Sequence, residues 1–93
     1  MQWKARQVEG HQLYYSSTCP YCTFVLITLR YLGLEIQLKN TRKSRAYNAE
    51  LFEGGGKHQV PCLRIDKSDG DVLWLYESRD IVQYLKTELA NDS

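Results

Sequence analysis

Three cysteines, two prolines and a single methionine are all that this 93-residue chain holds of those residues. Each shortage excludes something. An odd, small cysteine count cannot build the disulfide framework of a small secreted domain. Two prolines and six glycines leave no room for low-complexity or collagen-like sequence. No apolar run approaches the roughly 20 residues of a membrane-spanning helix. Residues 1–11 mix both charges and lack an apolar stretch, so no secretory leader is expected. Neither sign of charge dominates: 12 basic and 11 acidic residues leave a formal +1. That balance offers no electrostatic case for nucleic acid or an anionic membrane. The expectation is a monomer working in the cytoplasm.

What is present is one core's worth of apolar residues, 43% of the chain, too many for disorder. At this length residues 1–93 form a single domain. Residues 1–11 read as a polar lead-in. Leu13, Tyr14 and Tyr15 suggest a short strand within 12–16. Pro20 then opens a helix whose apolar stripe is Cys22, Val25, Leu26, Leu29 and Leu32, closed by Gly33. Residues 34–39 alternate strictly, with Leu34, Ile36 and Leu38 opposite Glu35, Gln37 and Lys39, as a half-buried strand does. A weaker helix over 43–53 should stop at the triplet Gly54, Gly55 and Gly56. A strand over 60–65, an Asp69–Gly70 turn and a strand over 72–76 make a hairpin. A last helix starts near Ser78, with Ile81, Val82, Leu85 and Leu89 on its apolar face. The order β-α-β-α-β-β-α predicts an α/β fold, a four-stranded mixed sheet flanked by helices.

Thr18-Cys19-Pro20-Tyr21-Cys22 carries the chemistry. Proline suits the first helical position, which puts Cys19 at the N-cap. There its sulfur faces unpaired backbone N–H groups and the positive end of the helix dipole, a setting that favours thiolate over thiol. Thiolate is the attacking species in disulfide exchange. Cys22 lies nearly one turn on, on the same side, and begins the buried stripe. Cys19 is therefore the candidate nucleophile and Cys22 the candidate resolving cysteine. A C-x-x-C is also half of a zinc site, but a closed site needs four ligands. Only Cys62, His11 and His58 remain to complete it, and a helical stripe rather than a knuckle follows Cys22. No metal is assigned. The basic run Lys39, Arg42, Lys43 and Arg45 has two readings, a solvated loop or a docking rim for an anionic ligand.

A strand leading into C-P-Y-C, then Val60-Pro61 before a strand, then Glu77-Ser78 opening the last helix, resembles the glutaredoxins. The closing stretch of residues 75–85 (LYESRDIVQYL) is similar to the N-terminal, glutathione-binding domain of glutathione S-transferases. The resemblance covers roughly residues 12–89. It implies a thioredoxin-like fold and a cis Val60–Pro61 bond beside the active cysteine. It also implies a glutathione site in which Val60 and Pro61 meet the cysteinyl part, Glu77 and Ser78 the γ-glutamyl end, and Tyr21 a wall. A helix N-terminus at Ser78 suits a carboxylate, and Ser78 could cap that helix. Two departures stand out. Ser16 occupies the position, three before the first cysteine, where many glutaredoxins have lysine. Gln59 occupies the usual threonine position before Val-Pro. Lys57, Gln59 and Arg42 are candidates to supply the missing contact. The chain shows no all-helical second domain, so a full transferase is not expected.

The function implied is a glutathione-dependent thiol–disulfide oxidoreductase, an enzyme of glutaredoxin type. Its co-substrate is glutathione, with no tightly bound cofactor, and its partners are disulfide-containing or glutathionylated proteins. Two alternatives stay open: a non-catalytic glutathione-binding or interaction module of transferase N-terminal type, and a metal or iron–sulfur protein in which a cluster bridges two Cys19 residues.

Overall fold

The computed structural model describes residues 6–89. Strands β1 (Arg6–Tyr15), β2 (Leu34–Asn40), β3 (Cys62–Asp66) and β4 (Val72–Leu75) form one sheet in the order β2-β1-β3-β4. β1 and β2 run parallel; β1/β3 and β3/β4 are antiparallel. Helices α1 (Pro20–Tyr31), α2 (Arg45–Gly55) and α3 (Ser78–Tyr84) cover it, and the chain after α3 widens into a π-helical turn at Leu85–Leu89. This is the mixed α/β sheet expected from the element order, and its topology is thioredoxin-like.

The two faces of the sheet are covered differently. On one, α1, α3 and the π-helical turn deliver Val25, Leu29, Ile81, Val82 and Leu85 onto Leu13, Ile36, Leu63 and Ile65. On the other, α2 places Leu51 against Tyr14 and Cys62, with Tyr47, Val60, Trp74 and Tyr76 around them. Neighbours in β1 thus serve opposite faces, as a pleated strand requires: Leu13 pairs with Leu63, and Tyr14 with Cys62.

Four expectations are corrected. The lead-in is wrong for residues 6–11, which belong to β1; residues 1–5 lie outside the described residues. The strand was hidden because its alternation breaks at a bulge between Gln7 and Gln12, where Gly10 takes φ +77°. A side chain there would press on the Asp66 carbonyl oxygen at 3.2 Å.

The glycine triplet does not end α2 as a unit. Gly54 and Gly55 are helical, and only Gly56, at φ +90°, is the left-handed cap. Gly54 is small because a Cβ would overlap the Trp74 ring, and at Gly55 it would overlap Tyr76.

The alternation in β2 survives, but its burial does not: Leu38 is 45% exposed and Lys39 only 8%. α2 covers the Lys39 end of one face while Leu38 lies past the edge of the cover on the other. Lys39 Nζ meets Glu50 Oε1 at 2.8 Å and Gln12 Oε1 at 2.9 Å, which removes it from the surface run.

Finally, β3 begins at Cys62 rather than Val60, and β4 ends at Leu75 rather than Tyr76. Val60–Pro61 is cis, and Pro61 has no N–H to give a ladder. Among the described residues no helix is long and apolar enough to cross a membrane.

Candidate active site at the start of α1

The site is built where β1 ends and α1 begins. Pro20 occupies the first turn of α1 and Cys19 is the N-cap, at φ −98° and ψ 119°. Its sulfur accepts the Cys22 backbone N–H at 3.3 Å. One orphan donor of the helix start is thereby spent on sulfur. When protonated, the same thiol points to the Val60 carbonyl oxygen at 3.8 Å. Cys19 is partly exposed, whereas Cys22 is fully buried; both are free thiols.

Cys22 Sγ accepts the Ser16 backbone N–H at 3.4 Å. Burial pushes its thiol up to about 12; the Ser16 contact opposes this, and the Cys19 hydrogen bond and charge add to it. Cys62 is also pushed up to about 12 by burial, partly offset by a Tyr76 hydrogen bond. It sits on the α2 face beside Tyr14 and Leu51. Among the described residues no three His, Cys, Asp or Glu side chains converge as a metal site would need. His58 Nδ1 instead meets Asn48 Oδ1 at 3.0 Å, and His11 Nε2 meets Tyr84 Oη at 2.9 Å.

Tyr21, Val60, Pro61, Glu77 and Ser78, scattered over 58 residues of sequence, line one pocket of about 240 Å³ together with Gln59 and Tyr76. Glu77, not Ser78, is the N-cap of α3, and its side chain makes no capping hydrogen bond. Ser78 is the first helical residue, so the capping role expected for it is corrected. Tyr76 was missed as a wall because its aromatic side chain reads as part of strand β4. Its hydroxyl accepts the Lys57 N–H at 3.3 Å and lies 3.2 Å from the Lys57 carbonyl, which ties the pocket to the end of α2.

Ser16, at the position of the absent lysine, is 8% exposed and its hydroxyl shares a hydrogen bond with Thr18 at 3.1 Å. Among the described residues no cation bonds to Ser16. Arg42 comes to the same loop from β2: its guanidinium donates to Thr18 Oγ1 at 3.2 Å. A second groove of about 600 Å³ lies across Tyr21, between α1 and α3, with Phe24, Val82 and Lys86 in its walls.

Comparison with known proteins bears on the family and the fold. Residues 18–88 match the family model of the glutathione S-transferase N-terminal domain. Glutathione S-transferase D7 of Anopheles gambiae is 33% identical over 82 residues, 86% of this chain and 35% of its own. A Bombyx mori glutathione transferase superposes at TM-score 0.68 and 30% identity, over 92% of this chain and 39% of its own. A wheat glutaredoxin superposes at TM-score 0.62 and 20% identity, over 85% of this chain and 73% of its own; at that identity it shows the fold alone. The chain spans about a third of the length of the curated transferase it matches. With the family model covering most of its residues, the thioredoxin-like domain described above belongs to the glutathione S-transferase N-terminal domain family.

Proposed function

We propose that this domain is a glutathione-dependent thiol–disulfide oxidoreductase of glutaredoxin type, with Cys19 as nucleophile and Cys22 as resolving cysteine. The observation that carries this reading is the pairing of a partly exposed N-cap sulfur, held by a backbone N–H, with a buried thiol one turn behind it. A family match alone would leave activity open, because function lives in the site rather than the fold.

The Cys19 thiolate attacks the glutathionyl sulfur of a mixed disulfide. That S–S bond breaks, and the departing thiolate takes a proton from solvent. A glutathione thiolate then attacks the Cys19–glutathione disulfide, which frees Cys19 and yields glutathione disulfide. On a protein disulfide, Cys22 instead attacks the mixed disulfide at Cys19 and expels the second substrate thiol. The Cys19–Cys22 disulfide left behind is reduced by two molecules of glutathione. Burial holds Cys22 protonated at rest. Once Cys19 is in a disulfide, its hydrogen bond and charge no longer add to that, which brings Cys22 closer to attack.

Glutathione would lie in the 240 Å³ pocket, with its cysteinyl main chain on Val60, Tyr21 as a wall and its γ-glutamyl end at Glu77 and Ser78. The uncapped first turn of α3 supports an anionic group there. The same reading makes the partners glutathionylated or disulfide-bonded proteins, and the setting a reducing cytoplasm in which the domain acts as a monomer.

A second reading, a glutathione-binding module without turnover, is favoured by the match to a transferase domain that is a third of its relative's length. Reduction of a glutathione mixed disulfide, with glutathione, its reductase and NADPH consumption as readout, separates the two. Wild type should turn over, Cys19→Ser should be inactive, and Cys22→Ser should keep most activity on the mixed disulfide while losing most on a protein disulfide. Wild-type binding of glutathione without NADPH consumption would establish the second reading.

A further inference from the structure

The walls of the 240 Å³ pocket are not equally well held. Tyr21 belongs to α1 and Ser78 to α3, so helix bonds fix both. Gln59, Val60 and Pro61 come from the segment between α2 and β3. Among the described residues, positions 57–61 make no backbone–backbone hydrogen bond. Side chains must hold such a stretch, or water does. The His58 ring reaches Asn48 Oδ1, and the Val60 carbonyl faces the Cys19 thiol. The start of the segment is held by Tyr76.

The phenol oxygen accepts the Lys57 N–H at 3.3 Å. Its one proton lies between the Lys57 carbonyl oxygen at 3.2 Å and the Leu51 carbonyl oxygen at 3.4 Å. Both main-chain groups of Lys57 thus meet a single hydroxyl. The Lys57 ammonium stands over the same ring, 5.3 Å from its centre. Gly55, the last residue of α2, lies against this contact: a Cβ there would overlap Tyr76 Oη. A loose wall has to be ordered when a ligand arrives, and that ordering costs affinity; a wall held beforehand avoids the cost.

Resting on the glutathione pocket read above, we propose that Tyr76 is a positioning residue: its hydroxyl holds Lys57, and through Lys57 the main chain leading to Val60, in the shape that glutathione meets. The hydroxyl exchanges no proton with the substrate, and the ring lines the pocket with or without it. Gly55 is the other half of the device, since it leaves the space in which the hydroxyl reaches the end of α2. The sulfur pair is outside this arrangement, because Cys19 and Cys22 are held by main-chain donors of their own.

Calorimetry of reduced glutathione on the reduced protein reads the pocket without turnover. Tyr76→Phe keeps the ring and removes the hydroxyl; Kd should rise about fivefold, the scale of one neutral hydrogen bond. Gly55→Ala keeps the hydroxyl but displaces it, and should raise Kd by a similar factor. The double variant should bind no more weakly than the weaker single one, because both changes remove one tie. Amide hydrogen exchange at Lys57 should quicken in each variant, while alkylation of Cys19 by iodoacetamide stays within about twofold of wild type. In turnover of a glutathionylated small thiol the loss should fall on KM, with kcat within about twofold. An unchanged Kd in Tyr76→Phe, even with a lower unfolding midpoint, would overturn the proposal. So would a weaker Kd with unchanged Lys57 exchange, since the hydroxyl would then act on glutathione directly, and so would fully additive losses. If Gly55→Ala does not fold, Tyr76→Phe carries both binding and exchange alone. Wild type that binds glutathione without turnover would remove the oxidoreductase reading and leave Kd and exchange to decide this proposal; wild type that does not bind it would remove the pocket and the proposal together.

Discussion

The two faces of the sheet solve burial by different means. The face under α1 and α3 is closed by ten buried side chains, all Leu, Ile or Val. The face under α2 is closed by Tyr14, Leu51 and Cys62 within a ring of aromatics, and it contains a charge. Lys39 Nζ touches Gln12, Glu50 and the Tyr14 hydroxyl, and that hydroxyl donates to Glu50 at 2.8 Å. Burial alone would lower the Lys39 ammonium, but the Glu50 hydrogen bond and Tyr14 outweigh it and hold it above its usual value. Burial raises the Tyr14 phenol, and its bond to Glu50 adds to the shift. Among the described residues no buried side-chain polar atom lacks a partner. An aliphatic face specifies itself by area; a polar one is tolerated only when each group finds its match.

The largest expected effect tests whether both faces are sealed. Cys22 is inward on α1 and Cys62 lies under α2, and burial takes both thiols to about 12. At neutral pH iodoacetamide should alkylate Cys19 at least about a hundredfold faster than either, since thiolate is the reactive form. Mass spectrometry of peptides at timed quenches reads this. Comparable labelling of Cys62 would mean that the α2 face opens to solvent while the other stays shut.

Next in size is the aliphatic face itself. Leu13→Ala, at a fully buried position, should cost about 2–5 kcal/mol in urea unfolding. A loss under about 1 kcal/mol would show that this face repacks freely, and the contrast with the aromatic face would dissolve.

Gly54→Ala sharpens the contrast by its sign. In an open helix interior alanine is better than glycine by about 1 kcal/mol. Here the added Cβ would overlap Trp74, so thermal unfolding should show a net loss of about 1–3 kcal/mol, the range of overpacking. A stabilised variant would show that Trp74 moves aside without cost.

The smallest effect concerns the charge. The Lys39 hydrogen bond holds the Glu50 carboxyl below its usual 4.5. Its contribution is therefore complete above that value and disappears as pH falls through the lower one. Because the Glu50 side chain is 41% exposed, screening limits the effect to about 1 kcal/mol or less. Glu50→Gln should be less stable than wild type at pH 7 and converge with it in acid. Parallel stability curves down to pH 3 would remove the ion pair from the account of this face.

The same contrast explains what could be read from residues alone. Stripes at helical and strand spacing picked out the aliphatic face, because area and period decide it. The C-P-Y-C turn was legible because proline, helix start and sulfur position are local to one another. Lys39 read as a surface charge because its partners, Gln12 and Glu50, are 27 and 11 residues away. Gly54 and Gly55 read as a break because the rings that press on them come from β4 and the residue after it. The first half of β1 was lost at the Gly10 bulge. Tyr76 was not placed at the site, and Arg42 was one of three candidates there, since each arrives by a contact formed only after the sheet is assembled.

The two reactive sulfurs are held by main-chain donors: Cys22 N–H on Cys19, and Ser16 N–H on Cys22. Side-chain replacement at Ser16 or Tyr21 removes neither donor; only a proline at 16 or 22 would. The arrangement is thus indifferent to most of the alphabet around it and depends instead on the direction in which the chain leaves β1. Neighbouring positions can drift, and with them preference for one substrate or another, while the sulfur pair keeps its geometry. In that sense the chemistry is inherited with the path of the backbone, and the surrounding side chains are free to be revised.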